Sequence, residues 1–585
     1  MGGVMQGDER SKESFWTQLK SFGSVYWIAN WIELVERFAY YGVRVVLPVF
    51  MVLAAGDGGP QLDHRQKGTI FAVWAIVQSF VPILSGGFAD RYGYKINIAL
   101  ATVLKIFGYL LMGYSVHLAE LLAGMPLAEA RAAGSDLAYE LFFSGAMLLA
   151  FGTAIFKPGV QGLIANQMPK GAESLGWGLF YQMVNIGGFV GPLLAGYLRV
   201  LDWTYVFLLC SAGIALNFIP LFFFKEPAHV GQDQEHQGPM RVMYNAMRGL
   251  LEPRLFFFTI AFAGFWLMFF QLFDILPNFI DDWVDSRGAA SALKSIVPES
   301  WVPTINEGNL TQEWIINLNA LLISLLAFAV GYVTGKVRAL NAIIVGIAIS
   351  AGGIYMLGLS LSGWWILLAI AIFSVGEMSA SPTKMRYLAS LAPPGKAGLY
   401  MGYTNFTVGI GWSIGSIVAG NWYEEHGDKI NLAKKYLVEK AGVTEAALKN
   451  VDRGDLMAFF EKTVGVDAWK TRELLWEAYE PQSMWLLFMV IGVCSMAAIM
   501  LYTFVVRGAN ANPAHPLNTR GSAIVKGFLI PITGLFLYFT VTSYLHMLTL
   551  PADQQTLPLG LALNTVFFGV MTAIAFVGRD PAPEG

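Results

Sequence analysis

The sequence predicts an all-α polytopic membrane protein with fourteen spans, arranged as two six-helix bundles plus two extra transmembrane helices at the carboxyl end. Three observations carry this reading. Of 585 residues only 38 are Lys or Arg and 41 Asp or Glu, so 14% are charged, against roughly 25% in soluble domains. Apolar residues make up 55% of the chain and mean hydropathy is +0.52. These residues gather in long runs with few charges, as helices that cross a bilayer require.

The same figures exclude several functions. A net charge of -3 with no large basic patch leaves no electrostatic footprint for nucleic acid. Cys210 and Cys494 each stand in an apolar run, so neither a disulfide framework nor a thiolate metal site is indicated. No HExxH, CxxC pair or GxxxxGK[ST] occurs, which removes the metallohydrolase and ATP-motor readings. No enzyme activity, metal or organic cofactor is expected, and the energy for any transport must come from a gradient.

The elements follow in chain order. Residues 1–24 are polar and mixed in charge, and the apolar stretch after them is too long for a cleaved signal peptide, so they read as a retained amino-terminal tail. Six spans, near 25–54, 68–89, 96–116, 138–165, 174–198 and 203–224, form the first bundle (25–224). The polar, basic stretch 225–254 reads as an inter-bundle linker. Six more spans, near 255–280, 315–334, 340–358, 364–383, 399–420 and 485–506, form the second bundle (255–506). Between its last two spans, segment 421–484 carries NLAKKYLVEKAG and DLMAFFEKTVG, whose apolar periodicity suggests short amphipathic helices outside the membrane. A solvated connector is the alternative. Residues 507–585 hold spans 523–547 and 556–577, an appended hairpin, and a tail.

Positive charge is retained on the cytoplasmic side of a membrane. Arg91, Lys95, Lys170, Lys225, Arg241, Arg248, Arg254, Lys336, Arg338, Arg507, Arg520 and Lys526 fall in alternate connections. Both termini are therefore predicted to be cytoplasmic, and segment 421–484 extracytoplasmic.

Against this apolar background each intramembrane charge is informative. In NWIELVERFAYYGVRVVLPVF, Glu33, Glu36 and Arg37 share one helix face by their spacings of three and four. Charges at this depth need a protein interior or a hydrated cavity. A Glu beside Arg37 can exchange charged and neutral forms, because burial and the nearby cation act on its carboxyl in opposite directions. The cluster reads either as a proton switch or as a static salt bridge. Lys157, directly before Pro158, and Glu377, five residues before Pro382, stand at helix interruptions in opposite halves. Their pairing across the halves is expected, either as a gate or as a fixed bridge. Asp274 is read as an outer gate or as part of a wet rim with Asp281 and Asp282. Lys105 is expected to run its stem along lipid or a neighbouring helix. Tyr40, Tyr41, Tyr181, Asn185, Trp266, Gln271 and Asn319 are candidate pocket walls, with ordinary packing as the alternative for each. The glycines of NIGGFVGPLLAG allow two helices to approach closely.

Glu33 to Gly42, ELVERFAYYG, resembles the ExxER-FxYYG motif of the proton-dependent oligopeptide transporter family. GGFADRYGYK at 86–95 resembles the loop signature of the major facilitator superfamily, and FYQMVNIGG at 180–188 is similar to the peptide transporters' FYxxINxG. Lys157 in FKP, Glu377 in GEMSASP, LAP at 391–393 and MG at 401–402 also match. The resemblance covers roughly residues 20–505. It implies a two-bundle alternating-access symporter with protons as the coupling ion, in the bacterial inner membrane. It assigns proton coupling to Glu33, Glu36, Arg37 and Glu377, and gating to Lys157, Asp274 and Glu377. Substrate binding falls to Arg37, Tyr40, Tyr41, Lys157, Tyr181, Trp266, Asn319 and Glu377. Four positions depart from the family. Phe270-Gln271 replaces Glu-Gln, Asn319-Ala320 replaces Asn-Pro, Phe328 stands at a later proline position, and Lys384 replaces a small residue.

The expected function is proton-coupled import of di- and tripeptides. The alternatives are a proton-coupled carrier of another small amphiphilic solute and a non-transporting membrane scaffold. Expected partners are small peptides and the lipid bilayer, with a protein partner at 421–484 or the terminal hairpin as a further option and nucleic acid excluded.

Overall fold

The computed structural model describes residues 14–226, 238–393, 397–448, 451–512, 515–518, 523–550 and 555–577. Most of the expected amino-terminal tail (1–13), part of the linker (227–237) and the tail 578–585 lie outside the described residues, as do the side chains of 86–88, 90 and 91 in the loop signature. The first bundle comprises α1 (Ser24–Val52), α2 (His64–Tyr92), α3 (Tyr94–Gly113), α4 (Leu137–Asn166), α5 (Glu173–Leu201) and α6 (Trp203–Ala215). The second comprises α7 (Pro253–Phe269), α8 (Leu318–Gly335), α9 (Ala339–Met356), α10 (Gly363–Leu391), α11 (Ala397–His426) and α12 (Ser483–Ala511). The hairpin is α13 (Ala523–Met547) and α14 (Leu559–Val577).

Among the described residues, twelve helices are long and apolar enough to cross a membrane. The other two long helices are α1, of 29 residues with Glu33, Glu36, Arg37 and Arg44 in its interior, and α11, of 30 residues and richer in polar side chains. Together they make the fourteen helices expected. One small departure from all-α structure occurs between α7 and α8, where Thr304–Ile305 pairs antiparallel with Asn309–Leu310.

Packing within each half follows residue size. α1 lies against α5 because Gly187 and Gly191 bring the backbones together: a Cβ on Gly187 would stand 2.4 Å from the Leu34 carbonyl oxygen, and one on Gly191 2.3 Å from that of Phe38. α3 packs on α4, and α9 on α10. The halves meet along two seams, α2 with α11 and α5 with α8. The second half has one continuous apolar core, which extends into the segment after α11 and into the hairpin. The first half is split. Ala29, Ile32, Ile98 and Phe156 belong to one cluster, and Ala39, Tyr109 and Leu149 to another. Glu33, Glu36, Arg37 and Lys105 occupy the level between them.

The segment after α11 folds as helices Lys429–Glu439, Leu456–Val464 and Ala468–Tyr479, with the short Glu445–Leu448 between the first two. Leu432, Leu437, Phe460 and Leu475 are buried beneath it, and Trp476 packs on Phe279 and Trp283. This cap defines one end of the molecule, the cap end. The end where 225–254 joins the halves is the linker end. Ala54, just past α1, lies beside Gly454 of the cap, so α1 runs from linker end to cap end.

The hairpin does not stand apart from the bundles. α14 covers the α2–α11 seam: Gly560 fits between Ala72 and Ile417, Asn564 Nδ2 donates to Ser413 Oγ at 2.8 Å, and Phe567 packs on both Phe80 and Phe406.

Asp428 fastens the cap to the first bundle. It caps helix Lys429–Glu439 by accepting the Asn431 N–H at 2.7 Å, accepts Arg453 Nη2 at 2.7 Å, and pairs with His64 Nε2 at 3.0 Å. Burial opposes its charge, but Arg453 and His64 outweigh burial and hold the carboxyl well below the usual range. Because the folded value is lowered, this stabilisation is present above the unfolded value of about 4 and is lost only as pH falls through the folded one. Protonation of Asp428 therefore does not contribute to loosening of helix Lys429–Glu439 between pH 7 and pH 5. In Arg453→Gln the amide protection factors of that helix should fall at least about ten-fold, since one partner of a buried pair is removed; hydrogen exchange read by mass spectrometry checks this.

Candidate functional site

A cavity of about 350 Å³ lies between the halves, within the size range of small-ligand sites. Arg37, Tyr40 and Tyr41 of α1, Lys157 of α4 and Tyr181 of α5 wall it on one side; Trp266 of α7, Asn319 of α8 and Glu377 of α10 wall it on the other. All eight side chains read from the sequence as substrate contacts are thus brought to one space. Asn185 lines it as well. Gln271 does not: it is buried and donates to the Leu267 carbonyl at 2.7 Å. The guanidinium of Arg37 lies 5.2 Å from the Tyr40 ring centroid and 5.9 Å from that of Tyr41. Tyr40 in turn donates to Gln78 Oε1 at 3.0 Å.

Behind Arg37 the carboxylates are enclosed. Arg37 Nε is 3.2 Å from Glu33 Oε1 and also pairs with Glu36. Glu36 is paired a second time, by Lys105 of α3. This corrects the expectation for Lys105, which does not follow lipid. It is fully buried, turned inward, with its ammonium 4.5 Å from the Phe156 ring centroid. Two carboxylates and two cations balance in a buried layer, which accounts for the divided core of the first half. The balance is uneven in detail, because Glu36 has two cationic partners, Arg37 and Lys105, whereas Glu33 has Arg37 alone among the described residues.

The expected Lys157–Glu377 bridge is not formed in this conformation. The two face each other from opposite walls of the cavity, and Glu377 Oε2 accepts Asn319 Nδ2 at 2.8 Å instead. Lys157 has no ion-pair partner among the described residues.

Asp274 pairs with Arg44 across the halves and accepts Trp412 Nε1 at 3.1 Å and Ser416 Oγ at 2.7 Å. It is buried, not part of a wet rim. Sequence reading missed Arg44, although its place seven residues after Arg37 puts it two turns further along the same face. Further ties surround this pair. Lys67 donates to Asn278 Oδ1 at 2.7 Å, Asn278 to the Pro48 carbonyl at 2.8 Å, and Arg199 bridges Asp281 and Glu313, each at 3.1 Å. Gln312, Trp314 and Asn317 reach carbonyls of Val45, Leu193 and Phe189. All of these ties between the two bundles lie level with Arg37 or nearer the cap. These ties close the cavity on the cap side.

Residues 31–416 match the family model of the Major Facilitator Superfamily, and the chain belongs to that superfamily. It is a membrane transporter by family, not an enzyme. Among curated proteins it is similar to the peptide transporter YePEPT of Yersinia enterocolitica subsp. palearctica, 22% identical over 455 residues that cover 63% of this chain and 82% of that one. It is also similar to the multidrug resistance protein MdtH of Proteus mirabilis, 22% identical over 358 residues, 61% of this chain and 77% of that one. Among solved structures it is similar to a POT family transporter crystallised with 5-aminolevulinic acid, with 16% identity and a TM-score of 0.57, covering 84% of this chain and 99% of that one. These likenesses agree with the resemblance to peptide transporters, and the low identities with a divergent member.

Asp274→Ala strands Arg44 in the interior and is expected to lower stability by roughly 3–5 kcal/mol, whereas Arg44→Met with Asp274→Leu should recover most of that loss. Thermal unfolding of the purified protein, followed by tryptophan fluorescence, checks the contrast.

Proposed function

We propose that the protein is a proton-coupled symporter that imports di- and tripeptides by alternating access across the bacterial inner membrane, with both termini cytoplasmic. The observation that carries this reading is the polarity of the cavity. Arg37 and Lys157 stand on one wall and Glu377 on the other, the arrangement that a zwitterion with a carboxylate at one end and an ammonium at the other requires. Aromatic side chains between them offer apolar walls with polar handles to a peptide of varied side chains.

Coupling follows from competition for Arg37. With Glu33 and Glu36 ionised, Arg37 is held by its own helix neighbours. Protonation of one carboxylate weakens that hold and frees the guanidinium for the substrate carboxylate. Lys105 keeps Glu36 matched throughout, which leaves Glu33 as the carboxylate whose partner is most readily lost. On the proposed orientation the cap lies outside and the cavity faces the cytoplasm. In the outward-facing state, the Arg44–Asp274 pair and its neighbours must part. No cofactor enters this scheme, and protons are the coupling ion.

A second reading, a proton-coupled carrier of another small amphiphilic solute, is favoured by specific side chains. Phe270 stacks on Trp412 with ring centroids 4.3 Å apart and planes at 7°, where the resembled family carries a carboxylate.

Purified protein in liposomes with an inward proton gradient is expected to accumulate labelled dipeptide saturably. Absence of any such uptake across a varied peptide panel sinks the peptide reading and leaves the second one to a solute screen. Glu36→Gln and Lys157→Ala should each lower proton-driven accumulation at least about ten-fold, a loss of the size seen when a charged partner in a buried site is removed. Unchanged accumulation in both variants overturns the coupling scheme.

A further inference from the structure

Lys384 is a charge that the scheme above does not use. It lies on α10, seven residues after Glu377, so the two share a face about two turns apart. Its side chain is 3% exposed. The ammonium lies 4.5 Å from the ring centroid of Trp266, a cavity wall, and 5.6 Å from that of Phe262, one turn nearer the linker end. Among the described residues it makes no hydrogen bond or ion pair, and its ammonium rests against these two rings. A long side chain in a helix leans toward the helix's amino end, here toward Glu377. The amine is therefore held behind Trp266, on the linker side of Glu377.

The charges around the cavity then fall into two sets. Glu33 and Glu36 match Arg37 and Lys105, and Arg44 matches Asp274. Lys157, Lys384 and Glu377 remain without ion-pair partners, two cations against one carboxylate. A zwitterionic peptide brings equal charges and leaves one cation uncompensated in a medium of low dielectric, which is costly. A ligand with one further acid closes the balance when Glu33 and Glu36 are both ionised and halves the excess when one of them is protonated.

We propose that Lys384 is a specificity residue that biases this site toward solutes carrying an extra carboxylate, such as peptides with an Asp or Glu side chain. The acid draws the ammonium off the face of Trp266 and pairs with it on the linker side of Glu377. This inference rests on the peptide-transport reading and adds to it a preferred substrate class.

The test uses the full chain in liposomes under a proton gradient, with Ala-Glu, Ala-Ala and Ala-Lys as competing substrates. Uptake of Ala-Glu is expected to exceed that of Ala-Ala by about five-fold, the worth of one partly hydrated ion pair, with Ala-Lys below both. Lys384→Met should bring the Ala-Glu to Ala-Ala ratio to about one, and Lys384→Arg should keep it well above one, separating charge from packing. Elution of each variant as a single species establishes that the ratio is read on folded protein. Saturable Ala-Ala uptake without acid preference, or a preference that survives Lys384→Met, overturns the role of Lys384 and leaves peptide transport standing. Failure to take up any of the three peptides removes both.

Discussion

The buried pairing of Glu36 with both Arg37 and Lys105 is the constraint from which the first bundle is organised. Desolvating an ion costs several kcal/mol, so charges persist in an apolar bundle only where opposite charges are supplied at the same depth. α1 brings two carboxylates and a guanidinium, and α3 brings the ammonium that completes the balance. The glycines of α5 that admit the backbone of α1 hold this layer at a fixed depth. Because the layer is enclosed except where Arg37 meets the cavity, a change in its protonation is felt on one side, where the ligand would sit.

The two halves have different mechanical characters. The second has a continuous core that runs through the cap, whereas the first is interrupted at the charged layer. Polar ties between them gather on the cap side. A continuous half and a divided half thus meet along the two seams α2–α11 and α5–α8, with the polar ties named above set toward the cap.

Much of this was legible in the sequence because membrane helices announce themselves by composition. Fourteen long helices were visible as apolar runs, and the residues of the cavity were visible because ionisable side chains are rare at that depth. α1 and α11 are the least apolar of the fourteen, and both were still drawn as spans from their apolar stretches. Less legible were features that depend on which neighbour a side chain meets. Lys105 alone in an apolar helix is equally consistent with lipid contact, and only the packing of α3 beside α1 gives it Glu36. Arg44 stood in plain view, but its partner Asp274 is 230 residues away. The seat of α14 across a seam between the halves has no local signature, since it rests on small contacts such as Gly560 between Ala72 and Ile417.

That seat has a consequence for motion. α2 and α11 belong to opposite halves, and α14 touches both, through Phe567 to each and through Asn564 to α11. On the proposed alternating-access cycle the two helices beneath α14 slide past one another, so α14 would follow only one of them. The hydrogen bond from Asn564 to Ser413 favours α11 as the helix it travels with. Its contact with α2 then behaves as a dry bearing, in which the flat faces of Gly560 and Ala72 provide the track and the Phe80–Phe567 contact the friction. On that cycle the terminal hairpin would be a rider on the second half, and the ease with which it glides over the first would enter the time needed for one turn.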